Sequence, residues 1–287
     1  MAYPVISSPY GLKPLNEFGG LVYAGSTRMY PIATGYSTSL FNGDTVKLSN
    51  GTIVIDNYSA ASSPTAAIAG TIGVFVGCQY VNTMSQTIQS QYWPASTVSN
   101  YALAYVVDDP RTVFKAAVTG QGTSLANTAN TTIGYVNPAF VGTNMYTLTG
   151  NGGSTTNGNS LLALTGGVVS NGTGNTRVTA AAPWRVVGVV QETAVVVSAV
   201  ASTSGSSTTL TLASSNSSIL AGMQVIAAGT GAAQGNYITV TNVNGTTLTV
   251  SSAITVASGT TCTFIGFPEV LVTWNGNFHS MNNTTGV

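Results

Sequence analysis

From Leu40 onward, apolar and polar positions alternate in short runs, the period-two pattern of half-buried β-strands. Asn50-Gly51 sits between two such runs and predicts a two-residue hairpin turn. That turn pairs Leu48 with Ile53 and Val46 with Ile55, so all four side chains share one face while Lys47 and Ser49 take the other. Burying that face fixes the register. Further strands are expected at Ile72 to Val81, Tyr101 to Val107, Val113 to Val118, Val186 to Val190 and Val270 to Trp274. Asp108-Asp109-Pro110 has the chemistry of a turn between two of them. No run carries the three-to-four spacing of an amphipathic helix, and the loops are dominated by the poor helix formers Ser, Thr, Asn and Gly.

Three regions depart from this pattern. Residues 1–30 are rich in Pro and Tyr and predict an extended N-terminal arm, because each proline biases its predecessor away from helix. Its apolar and aromatic residues Tyr3, Pro4, Tyr10, Leu12, Pro14 and Phe18 are the candidate anchors onto a neighbouring subunit or a larger surface. The bland alternative is an arm packed on its own domain. Residues 119 to 182 are diluted in Gly, Asn, Thr and Ser, and Thr149 to Asn159 reads as a low-complexity loop tip. Residues 195–263 contain no Lys, Arg, Asp or Glu and repeat a Thr-Thr-Leu-Thr pattern at 208–211 and 246–249. There, a three-residue loop at Val243-Asn244-Gly245 pairs Val240 with Leu248 and Ile238 with Val250, giving one apolar face. The expected fold is therefore all-β: a barrel or sandwich core from 31–194 plus 264–287, an extended arm at 1–30, and an inserted small β module at 195–263 whose two ends lie close together.

Charge narrows the function. Only 5% of the 287 residues are charged, against about 25% in a typical domain. Seven basic residues balance seven acidic ones. The cations Lys13, Arg28, Lys47, Arg111, Lys115, Arg177 and Arg185 are scattered, so no nucleic-acid partner is expected. No run reaches the roughly 18 apolar residues that span a bilayer, so no membrane partner is expected, and the first residues lack a secretory leader pattern. A mean hydropathy of +0.29 with almost no charge repulsion favours association and burial of apolar surface between subunits. Cys78 and Cys262 read as two buried small hydrophobes, with a disulfide between them left open.

Catalytic chemistry has little to work with. His279 is the one histidine, which excludes a multi-histidine metal site within the chain. A nucleophilic triad would have to use it, and no Gly-x-Ser-x-Gly elbow supplies the serine. Asp108 and Asp109 are adjacent and on a strand would face opposite sides. Asp44, Asp56, Glu192 and Glu269 have no spacing that pairs them across a cleft. No phosphate loop and no EF-hand pattern occurs. The chain is expected not to be an enzyme and to need no cofactor.

An ordered series of short segments adds a resemblance. It runs through Ser8-Pro-Tyr-Gly-Leu-Lys-Pro14 with Gly19-Gly20, Tyr30-Pro-Ile-Ala33, Leu40-Phe-Asn-Gly-Asp-Thr-Val-Lys-Leu48 and Gly73-Val-Phe-Val-Gly77. It continues with Tyr92-Trp-Pro-Ala-Ser-Thr97, Val106-Val-Asp-Asp-Pro110, Arg185-Val-Val-Gly-Val-Val-Gln191, Glu269-Val-Leu-Val-Thr-Trp-Asn275 and Phe278-His279. In this order the series resembles the capsid decoration, cement or head-stabilising proteins of tailed bacteriophages. Residues 195–263 interrupt it and resemble β modules found within other phage structural proteins. The resemblance implies a virion location on the outer surface of the capsid, with the major capsid protein as partner. It implies self-association too, as a homotrimer in first place and a dimer in second. It transfers no catalytic residues. The competing expectations are an adhesin or fibre module, which would show exposed Trp or Tyr platforms on the insert, and a hydrolase, which would gather carboxylates around His279.

Overall fold

The computed structural model describes residues 8–56, 70–118, 141–142, 144–148, 152–166, 168–170, 175–177, 183–190, 193, 196–202, 205–227, 238–267, 269–275 and 279. The fold is all-β, built from antiparallel sheets. Its first sheet runs in the order β1 (Lys13–Glu17), β10 (Thr112–Ala117), β22 (Glu269–Trp274), β15 (Trp184–Val190), β11 (Asn144–Leu148) and β12 (Ala163–Gly166). The sheet curls so that Leu164 of β12 returns to bridge Val118, just past β10. Inside the curl Leu12, Phe114, Met145, Leu164, Trp184 and Trp274 form one core. Trp184 and Trp274 lie with ring centroids 4.0 Å apart.

The second sheet has the order β2 (Arg28–Pro31), β9 (Ala102–Val107), β6 (Thr71–Val81), β4 (Thr45–Ser49) and β5 (Thr52–Ile55), with β7 (Thr87–Ser90) also paired to β6. Its central strands serve two cores. Val74 and Val107 belong to the first core, whereas their chain neighbours Phe75 and Val106 face a second one with Leu40, Val46, Ile53 and Trp93. Successive side chains on a strand point to opposite faces. A strand buried on both faces therefore reads as a continuous apolar run, which is what residues 72–78 show. Two short strands, β3 (Leu40–Phe41) and β8 (Tyr92–Trp93), cap this core. A separate ribbon pairs β13 (Val168–Ser170) with β14 (Asn175–Arg177).

The β4–β5 hairpin has the expected register, with Val46 opposite Ile55 and Leu48 opposite Ile53. Asn50 and Gly51 both take positive φ, 50° and 79°, as a type I′ turn requires.

Residues 196–265 pair only among themselves within the described strands. β16 (Val196–Val200), β21 (Thr261–Ile265) and β18 (Gln224–Ile226) make one three-stranded sheet. β17 (Gly205–Thr211), β20 (Thr247–Val256) and β19 (Val240–Asn244) make another. Between them lies a third core of Leu210, Leu212, Met223, Leu248, Val250 and Phe264. Val196 is the register partner of Ile265, so the two ends of this module are neighbours. Cys262 lies in this core and Cys78 in that of the second sheet, and both thiols are free.

The register expected for the β19–β20 hairpin needs correction. Val243 faces Leu248 and Asn244 faces Thr247, which leaves a two-residue turn at Gly245-Thr246 with Gly245 at φ 59°. A bulge between Val240 and Asn242 then brings Val240 opposite Val250. Without that extra residue Val240 would face solvent. The apolar face is preserved by a bulge within the strand rather than by a longer loop.

Residues 1–7 of the segment read as an extended arm lie outside the described residues; from residue 8 on, the segment packs on its own domain, the alternative reading. Residues 13–17 and 28–31 are strands of the two sheets, and Leu12 between them and residue 8 is fully enclosed. Pro14 is tolerated because β1 is an edge strand and its ladder is bulged between Pro14 and Asn16. Gly11 at φ 78° and Gly43 at φ 105° let two backbones touch, since a Cβ on Gly11 would sit 2.8 Å from the Gly43 Cα. That contact allows the Leu12 N–H to donate to the Gly43 carbonyl at 3.0 Å.

Of the segment read as a loop tip, residues 149–151 lie outside the described residues; Thr155, Thr156 and Asn157 are exposed, but Gly153 and Gly158 pack against neighbouring segments. Gly153 lies under the Phe41 ring, where a Cβ would collide with it. The Asn42 N–H donates to the Gly158 carbonyl at 2.9 Å.

Candidate binding surface

The six candidate anchors separate once placed on this fold. Tyr3 and Pro4 lie outside the described residues. Tyr10 turns inward: its hydroxyl donates to the Glu269 carboxylate, and the Lys115 ammonium lies 5.8 Å from its ring centroid. Lys115 also pairs with Glu269 at 3.1 Å. Burial and the Glu269 charge push the Tyr10 hydroxyl well above its ordinary pKa. Leu12 is a core residue and Pro14, half-buried, lies opposite Phe114. A side chain enclosed in its own core cannot anchor the chain to another molecule, so Leu12 is withdrawn from that role, and Tyr10 is engaged within the fold. Phe18 alone among the four described anchors projects, with 62% of its surface exposed.

Phe18 stands on a tight turn. The Glu17 N–H donates to the Leu21 carbonyl at 2.8 Å, Asn16 bridges Val22, and Gly19 and Gly20 take φ of 100° and 86°. The Phe18 N–H donates to the Arg111 carbonyl at 2.7 Å, which ties the turn to the start of β10. Leu15, Leu21 and Val22 are exposed beside Phe18, so one turn presents four apolar side chains to solvent. These three neighbours were legible as apolar residues around Gly19-Gly20, but their outward direction depends on β1 pairing with β10.

Next to this turn a groove of about 560 Å³ opens on the first sheet. Phe18 and Val141 flank it, Val186, Val187, Thr273 and Trp274 lie along it, and Arg111 and Arg185 supply its charge. The two arginines carry no distinctive sequence signal. The topology brings them together because β10, β22 and β15 are adjacent.

The chemistry-bearing groups are placed differently. His279 is fully buried against Trp274, ring centroids 5.0 Å apart, and burial lowers its pKa. Asp108 accepts from the Tyr30 hydroxyl at 2.7 Å and pairs with Arg28 at 3.2 Å. Asp109 accepts the Arg111 N–H at 2.8 Å, the local turn bond expected of it. Asp44, Asp56 and Glu269 are each buried with their own partners: Ser160 and the Phe41 N–H, Thr71 and Lys47, and Tyr10 and Lys115. Glu192 lies outside the described residues. Among the described residues no three His, Cys, Asp or Glu side chains group to hold a metal. On the module, Phe264 is buried and Tyr237 lies outside the described residues; Trp93, Trp184 and Trp274 are all buried in the other two cores.

Compared with known proteins, the chain matches no family model, no curated relative and no solved structure.

Proposed function

We propose that this chain is a structural, non-catalytic protein of a virion, a decoration or cement protein that sits on the outer surface of a phage head and ties major capsid proteins together, self-associating as a trimer. The observation that carries the reading is a coincidence of boundaries. The segments that resemble head-stabilising proteins fall on β1, β2, β3, β4, β6, β8, β9, β15 and β22, the strands of the two interlocked cores. The stretch that interrupts the series, 195–263, lies almost wholly within the strands 196–265, which have their own sheets and their own core. The exposed apolar turn at Leu15 to Val22 supplies a surface of the kind that binds another protein. With so few charges, attachment rests on apolar contact and shape and is weakly sensitive to salt.

The test is to add the purified chain to expanded heads of its parent phage prepared without it, and to image the particles. Ordered density for the chain at repeated positions on the outer shell, with the heads surviving heating better than bare heads, is the expected result. Absence of binding to heads, or density confined to the tail or fibres, overturns the reading.

A further inference from the structure

The charge inventory singles out the groove beside Phe18. Arg28, Lys47 and Lys115 are paired with Asp108, Asp56 and Glu269. Lys13 is held by Asn42 and Asn159, its ammonium donating to their side-chain oxygens at 2.7 and 2.8 Å. The Arg177 side chain lies outside the described residues. That leaves Arg111 and Arg185, both exposed and neither ion-paired among the described residues. These two line the same groove, and no acidic residue among the described residues lines it with them. In a chain with seven cations, two without counter-charge among the described residues beside an apolar floor form a complementary site for negative charge.

We propose that this groove receives a segment of a partner protein in which carboxylate side chains stand among apolar ones, Arg111 and Arg185 taking the carboxylates and Phe18, Val141 and Val187 the apolar groups. Guanidinium groups favour carboxylates because their planar donors match both oxygens. An apolar wall beside a cation suits a partner that brings both characters. A small anion would leave the wall uncovered, and the turn that carries Phe18 also exposes Leu21 and Val22. A phosphate polymer calls for a stripe of cations rather than two. The assignment does not rest on a particle location, because it holds for whichever protein carries the segment.

A random heptapeptide display library selected on the immobilised full chain tests it. The expected outcome is enrichment of peptides with Asp or Glu flanked by apolar residues. Arg111→Gln with Arg185→Gln should weaken the enriched peptides by about tenfold or more, in line with the loss of charge-assisted hydrogen bonds. Its melting temperature should stay unchanged, because both side chains are exposed. Phe18→Ala should weaken the same peptides without altering the preference for acids. No enrichment, an enriched pool with no excess of acids over the starting library, or equal binding to the double variant overturns the proposal. So does co-sedimentation with phosphatidylserine-containing vesicles that the double variant loses, since the cations would then serve a lipid surface.

Discussion

Lys13 and Asp44 lie in the same partly buried polar layer without forming an ion pair. Lys13 donates to Asn42 and Asn159, and Asp44 accepts the Ser160 hydroxyl at 2.5 Å and the Phe41 N–H at 2.7 Å. The layer joins the start of β1 to the loop before β12, where sequence-distant backbones meet. Burial dominates both titrations, raising Asp44 from 3.8 to about 6 and lowering Lys13 from 10.5 to about 8.

The first prediction follows from the signs. Asp44 binds its proton more readily in the folded chain, so its ionisation costs stability that is fully present above pH 6 and is relieved as pH falls from 6 towards 3.8. Lys13 binds its proton less readily in the fold, so its cost is present below pH 8 and is relieved as pH rises from 8 towards 10.5. Both costs act together between pH 6 and 8. The melting temperature should therefore be higher at pH 5 than at pH 7, with Asp44 contributing about 1 kcal/mol over that interval, less than half of what its complete protonation would relieve. Asp56, also raised by burial, works in the same direction. In Asp44→Asn the Ser160 hydroxyl can turn to accept from the amide, and the rise towards pH 5 should shrink. Melting curves across pH 4.5 to 7 that fall steadily with acid in the wild type would refute this.

A second prediction contrasts two residues six positions apart. Leu12→Ala opens a cavity in the core shared by the first and second sheets and should cost about 2–5 kcal/mol. Phe18→Ala removes an exposed ring and should change the unfolding free energy by less than about 0.5 kcal/mol. Chemical denaturation of both variants measures this directly. Equal losses would mean that the turn is packed in solution and that Leu12 and Phe18 do not differ in role.

How much of this was legible in the sequence depends on where the determining contacts lie. The β4–β5 hairpin is set by residues within ten positions of one another, and both its pairs and its turn follow from the alternation around Asn50-Gly51. β6, β9, β10, β15 and β22 also announce themselves as apolar runs. Leu12 does not, because its burial depends on Gly11 meeting Gly43 and on the Leu162 carbonyl accepting the Gly11 N–H at 3.1 Å. Residues 152–159 look like solvated loop by composition, yet their glycines are what allow the backbone to lie against Phe41. The β19–β20 register was misjudged because a two-residue turn with a bulge at Thr241 conserves the same apolar face that a three-residue loop without a bulge would. The groove was illegible, since Arg111, Arg185 and Phe18 meet only through strand order.

Gly153 supplies a third prediction. A methyl group there would overlap the Phe41 ring, which is itself stacked on Tyr92 at 5.6 Å and cannot swing away freely. Gly153→Ala should destabilise by about 1–3 kcal/mol through overpacking, although alanine is normally mild in a polar loop. Gly152→Ala, whose Cβ would meet nothing within 4 Å but whose φ is 61°, isolates the backbone cost from the clash. If Gly153→Ala unfolds no more readily than Gly152→Ala, the segment is not packed under Phe41.

The final prediction concerns the module at 196–265. Its strands pair only with one another among the described residues, and its core is filled by its own side chains. Its ends are register partners, Val196 opposite Ile265, so a few residues can close the gap that its removal leaves. Just outside the module the Thr193 hydroxyl accepts the Glu269 N–H at 2.9 Å and donates to the Val190 carbonyl at 2.8 Å, a clasp that holds β15 to the start of β22. Replacing 196–265 with a short Gly-Ser linker while keeping Thr193 and Glu269 should leave the two interlocked cores folded. The shortened chain should melt cooperatively within a few degrees of the full one. The excised module, expressed alone, should give a β spectrum and its own transition, because among the described residues its core uses no side chain from outside 197–264. Thr193→Val in the shortened chain should lower its stability by about 1–3 kcal/mol, the cost of stranding the buried Glu269 N–H. If removing the module abolishes the cooperative melt even with the clasp intact, the three cores fold as one unit and the module is not an insertion.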